Sequence, residues 1–195
     1  MRGATTAAVV VVFALVLDCG APLFAQEIVS VFTRFDVDKT CKHRRGRDVE
    51  DYGTWTCPGL GGLIVHLSAG DQRMQVSFGR DARSAAREKA ARQTFPSFNS
   101  VYRGTVEWRA EKSTDGRTRP FATILRWRVM TAEDQERGDG KSTGAMLIVT
   151  RLNPGGVCHV GYVDARAANA NETARQLADE TARGFRCERD EPLRR

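Results

Sequence analysis

Alternation of apolar and polar residues marks most of this chain as strand. Phe121, Thr123, Leu125, Trp127 and Val129 share one face of an extended segment, and Arg126 and Arg128 fall on the other. The same test predicts strands over 28–35, 53–57, 63–68, 72–78, 105–110, 121–131, 144–152 and 157–164. Two stretches change period. The segment 82–94 carries a narrow seam of Ala82, Ala86 and Ala90, and 170–184 sets Ala170, Ala174, Leu177, Ala178, Thr181 and Phe185 on one helical stripe. Asn169, with Glu172 three residues on, supplies a helix start signal. Trp55, Trp108 and Trp127 alternate into the predicted core.

The pattern repeats. Leu63-Ile64-Val65 returns as Leu147-Ile148-Val149 at an offset of ~84 residues, and Val76 and Phe78 return as Val160 and Tyr162. Asp81-Ala82-Arg83 is matched by Asp164-Ala165-Arg166, and each copy runs through an Ala-rich stretch to Phe95 or Phe185. Trp55 corresponds to Trp127 at a shorter offset. The difference falls on the polar, Gly-bearing segment 132–143, which reads as a longer hairpin loop. These matches predict one α+β domain over 26–195, built from two pseudo-repeated β4α halves at about 26–98 and 99–190. An antiparallel sheet would carry both helices on one face and leave the other open to water.

The N-terminus alters the picture of where the chain works. Met1-Arg2-Gly3, an apolar run from Ala7 to Leu17 and Leu23-Phe24-Ala25 describe a secretory signal cleaved after Ala25, too short to span a bilayer as a helix. Cys19 invites a lipoprotein reading, which Asp18 directly before it disfavours. Cleavage leaves Cys41, Cys57, Cys158 and Cys187, an even set that reads as two disulfides in an exported chain. Three pairings are possible, and Cys41–Cys57 with Cys158–Cys187 is favoured. From Cys158 along the strand is a run of about 20 Å, and fifteen helical residues return about 22 Å, which brings Cys187 back beside Cys158. Zinc is disfavoured, because CxxC-type pairs are missing.

The 195 residues have 30 Lys plus Arg and 24 Asp plus Glu, a net charge of +6. In an exported protein this excess predicts loose attraction to anionic envelope surfaces rather than to nucleic acid. Arg73, Arg109, Arg126 and Arg128, with His66, Gln75, Glu107 and Thr150, project by alternation onto the open face. Such a set of guanidinium groups suits a carboxylate or phosphate ligand. His43 reads as a solvated loop residue among Lys42, Arg44, Arg45 and Arg47, and His66 and His159 fall on non-core strand positions. Asp36 and Asp38, and the acidic stretch Glu133, Asp134, Glu136 and Asp139, lack the spacing of a calcium loop and read as turns. Gly59, Gly61 and Gly62 mark a turn. GxSxG, HExxH and a phosphate-cradling glycine loop are missing, so no catalytic, metal or cofactor residue is assigned.

Trp55-Thr56-Cys57-Pro58-Gly59, the segment from Asp71 to Gly79, Phe121 to Trp127 and Cys158 to Ala165 resemble a group of small exported bacterial proteins with no assigned activity. That resemblance implies export and disulfides and carries over no catalytic residue. The expected function is a non-enzymatic binding or inhibitor-like module of the periplasm or cell exterior, with an envelope protein or anionic ligand as partner. A hydrolase acting on envelope polymers is the alternative, for which Glu107 is the one carboxylate placed on the open face.

Overall fold

The computed structural model describes residues 26–47 and 51–195. The signal segment, its cleavage point at Ala25 and Cys19 lie outside the described residues. The chain begins β1 (Glu27–Asp36), β2 (Lys42–Arg44), β3 (Asp51–Pro58), β4 (Ile64–Gly70), β5 (Arg73–Gly79), α1 (Ala82–Arg87) and a 3-10 turn (Lys89–Arg92). It continues β6 (Asn99–Ser100), β7 (Arg103–Lys112), β8 (Thr118–Val129), α2 (Ala132–Arg137), β9 (Gly144–Arg151), β10 (Cys158–Asp164), α3 (Ala170–Thr181) and β11 (Leu193–Arg194).

Among the described residues strand outweighs helix by 45% to 17%, so the fold is mostly β and not the expected α+β arrangement. Two sheets form. One has the order β2-β3-β4-β5, and the other runs β1-β7-β8-β9-β10-β11, with β6 paired to the end of β8. The last pair, β10 with β11, is parallel, so the larger sheet is mixed rather than antiparallel throughout.

Its central strands are apolar on both faces. Leu125, Trp127 and Ile148 pack toward Val65, Leu67, Val76 and Phe78 of the smaller sheet. Ala122, Ile124, Leu147 and Val149 pack on the other side against Ala174, Leu177 and Ala178 of α3. Segments such as Phe121-Ala122-Thr123-Ile124-Leu125 therefore read as near-continuous apolar runs, which is the signature of a strand covered twice. Trp108 and Trp127 are 0% and 1% exposed. Burying such a ring contributes about 4–6 kcal/mol. Trp108 keeps its indole donor satisfied on Thr33 Oγ1 at 2.8 Å.

The expected single-face helix layer is thus corrected. α3 covers the outside of the larger sheet, whereas α1 lies on the outside of the smaller one. A Cβ on Gly79, which shares a face with Ser77, would come within 2.8 Å of the Ala85 nitrogen. The order across the molecule is α1, small sheet, large sheet, α3. The first helix also stops early, at Arg87, with Glu88 extended (ψ 154). Tertiary hydrogen bonds claim the next residues: Glu88 accepts from Asn153 Nδ2 at 2.9 Å and from Val157 N at 2.8 Å, and Ala90 N donates to Val157 O at 2.9 Å. The two hairpins of the expected repeat pair differently. Phe78 faces Val65, but Tyr162 faces Ile148 because β10 is bulged between His159 and Gly161.

Both disulfides form as expected, Cys41–Cys57 and Cys158–Cys187. The loop expected at 132–143 contains α2 instead. Thr131 and Asp134 form a reciprocal capping box, and fully buried Asp134 also accepts from Thr143 N at 2.7 Å and Thr143 Oγ1 at 2.8 Å. Against desolvation that would raise it, the backbone N–H groups of Thr131 and Thr143 hold the Asp134 carboxyl well below the usual carboxylate range. This acid is a structural cap.

Candidate functional site

The α3 side of the larger sheet contains a cleft of about 670 Å³. It opens where β7 begins and α3 starts, between Phe32 of β1 and the outer residues of β8. Ile124 and Leu147 supply apolar lining. Phe32 and Tyr102, 55% and 47% exposed, stand at its mouth. Arg103, Arg126, Arg128 and Arg175 bring four guanidinium groups, and Glu107 brings a carboxylate.

These charges are not equivalent. Glu107 is buried at 7% exposure and accepts from Ser30 Oγ at 2.5 Å and from Arg175 Nε at 2.6 Å and Nη2 at 3.3 Å. That bonding raises the Arg175 guanidinium above its ordinary value, so it stays charged. Arg103 pairs with Asp36 at 3.2 Å. Arg126 is different: among the described residues its guanidinium donates to the Ala165 carbonyl alone, at 3.2 Å. Among the described residues, neither Arg126 nor Arg128 has a carboxylate partner. They occupy alternate positions of one strand, so their Cα atoms are about 7 Å apart on the same face.

The five residues assigned from sequence therefore do not assemble as one surface. Arg126 and Arg128 line the cleft, on the side that α3 covers and not on the helix-free face expected for them. Arg109 shares its face but is buried at 8% exposure, clamping Asp179 of α3 through bonds of 2.8 and 2.6 Å and donating to Ser30 Oγ. It fastens the helix to the sheet. Arg73 belongs to the other sheet, where it donates to Pro96 O at 3.0 and 2.9 Å, pairs with Asp71 and lies over the Phe98 ring. His66 sits beside Ser77 on the outer face of the small sheet, 6% exposed, and burial lowers its pKa. Sequence reasoning missed Arg103, Arg175, Phe32 and Tyr102. The only signal for Arg175 was its place next to Ala174, at the border of the helical stripe.

His159 is also corrected from a non-core strand position to an interior one. The bulge before Gly161 turns His159 and Tyr162 toward the same inter-sheet core, where His159 meets Trp127 edge-on and its Nδ1 pairs with Tyr162 OH at 3.1 Å. Its ring is 1% exposed, and burial lowers its pKa to about 3. The unfolded chain takes up this proton near pH 6.5 and the folded chain does not, so stability is full above that pH and declines as pH falls toward 3. The expected slope from this group is up to about 1.4 kcal/mol per pH unit. Urea unfolding between pH 7.5 and 4.5 measures it, and His159→Phe is expected to flatten the decline. An equally steep decline in the variant would refute the assignment.

Among the described residues, no group of three or more His, Cys, Asp or Glu is placed to hold a metal ion, and no helix is long and apolar enough to cross a membrane. Comparison of the chain with protein-family models, with curated proteins and with solved structures finds no match.

Proposed function

We propose that this chain is an exported, disulfide-stapled binding module that captures an anionic ligand in the cleft beneath Phe32 and Tyr102. The observation that carries the reading is the pair Arg126 and Arg128: two guanidinium groups on one strand face, lining a cleft, without carboxylate partners among the described residues. Surface arginines in this molecule commonly pair locally, as Arg117 does with Asp115 and Arg186 with Asp190. Leaving two unpaired over an apolar floor favours a ligand with carboxylate or phosphate groups attached to an apolar or ring-bearing body. Export and membership of the resembling group of small bacterial proteins belong to the same proposal. The two disulfides are compatible with an extracytoplasmic location.

Hydrolysis of an envelope polymer is less well supported. Glycoside cleavage usually needs two carboxyl groups facing each other. Glu107 is the one carboxylate among the cleft-lining residues, and Ser30 and Arg175 already occupy it.

Co-sedimentation with peptidoglycan sacculi, whose peptide stems carry carboxylates, tests the binding reading. A charge-assisted hydrogen bond contributes about 1.5–3 kcal/mol, so Arg126→Ala and Arg128→Ala are each expected to weaken retention about tenfold or more. Capture that is unchanged in both variants would remove the cleft from consideration.

A further inference from the structure

The outer strands of the two sheets are not equally protected. β2 is three residues long and cationic, and β11 has two residues. The free side of β5 is covered: Thr94 Oγ1 donates to Met74 O at 2.8 Å, Met74 N donates to Asn99 Oδ1 at 3.1 Å, and Asn99 N donates to Gln72 O at 3.3 Å. Among the described residues β1 has no such hydrogen-bonded cover. Its ten residues pair with β7 from Glu27 opposite Lys112 to Asp36 opposite Arg103. Among the described residues, no other backbone hydrogen bond is made between Glu27 and Phe35. A long strand with one row of unpaired N–H and C=O groups is a template for another strand.

The side chains along that edge are sorted by face. Val29, Val31 and Thr33 lie toward the small sheet, each half-buried. Phe32 and Arg34 lie toward the cleft and are exposed, and Arg34 has no carboxylate partner among the described residues. We infer that β1 is a docking edge for an extended acidic segment of a partner protein, which adds to the sheet as a further strand. Its apolar residues continue the half-buried row of Val29 and Val31, and its carboxylates, at alternate positions, face Arg34 on the cleft side. A basic segment would meet like charge there. The inference stands on the strand edge and does not need the cleft to hold a ligand.

A fluorescent, end-capped peptide of about eight residues alternating Val and Glu is the probe, titrated against the protein purified from an oxidising compartment. Saturable binding is expected, with Arg34→Glu weakening it about tenfold and an alternating Val and Lys peptide binding at least as poorly. Peptides N-methylated at every second residue distinguish strand addition from simple charge attraction. One phase of methylation removes the donors that face β1 and is expected to abolish binding, while the other phase leaves it within about threefold. Equal effects of both phases, no saturable binding, or self-association of the protein through β1 at the concentrations used would each overturn the proposal. The double variant Arg126→Ala with Arg128→Ala is expected to bind the peptide normally, so a failed cleft and a failed edge give different results.

Discussion

Asp179→Ala is expected to destabilise the fold by about 3–5 kcal/mol, although Asp179 does not line the cleft. The reason is the partner it abandons. Arg109 has a side chain only 10% exposed, and two of its donors end on the Asp179 carboxylate at 2.8 and 2.6 Å. Removing the acid leaves a buried guanidinium beside Ser30, with Glu107 3.9 Å away and already engaged by Arg175. A desolvated charge without its counter-ion costs far more than the pair contributes, so the damage belongs to Arg109 rather than to the helix. The double variant Arg109→Met with Asp179→Leu is therefore expected to recover most of the loss, because an apolar pair of similar size replaces both charges. Urea midpoints for the two singles and the double measure the coupling. A small effect of Asp179→Ala alone would show that water reaches Arg109 and that α3 is held by its apolar stripe.

The second large effect is expected from Cys158→Ala with Cys187→Ala. The bridge spans 29 residues of sequence, and closing such a loop limits the unfolded chain by about 3.6 kcal/mol on the chain-entropy account. The loss falls on one place. Cys187 follows Phe185, whose carbonyl accepts from the buried Arg151 guanidinium, and the Cys187 carbonyl accepts from Lys89. Freeing this end of the chain loosens α3 from β9 and β10 together with the turn that follows α1. Cys41–Cys57 closes a shorter loop, and opening it is expected to cost about 3 kcal/mol, with its effects confined to β2 and β3. Hydrogen exchange of the α3 amides separates the two cases: protection is expected to fall in the first variant and to hold in the second.

Elements were legible in the sequence wherever a local rule was strong. The alternation of β8, the periodic stripe of α3 and the meeting of Cys158 with Cys187 each depend on short-range geometry that a residue string already encodes. The bulge at His159 had no such signal, because one extra residue shifts the face of everything after it while leaving the composition unchanged. The same limit applied to the arginines. Alternation grouped Arg109, Arg126 and Arg128 on a face expected to lie opposite the helices, whereas α3 covers that face, and it carried no information about Asp179 reaching Arg109 from a helix 70 residues away.

Residue order alone thus marked the longer strands and the last helix and favoured the disulfide pairings that form, since each follows from spacings within a few tens of residues, while the short β2, β6 and β11 carried no such pattern. Only the tertiary structure decided that the strands divide into two sheets and that the helices lie on opposite outsides. It also decided which arginines keep a guanidinium without a carboxylate partner among the described residues. Those outcomes depend on which apolar face finds which cover, and on which distant carboxylate fills the space beside a buried charge. Both are properties of the packed chain, in which residues far apart in sequence compete for the same partner.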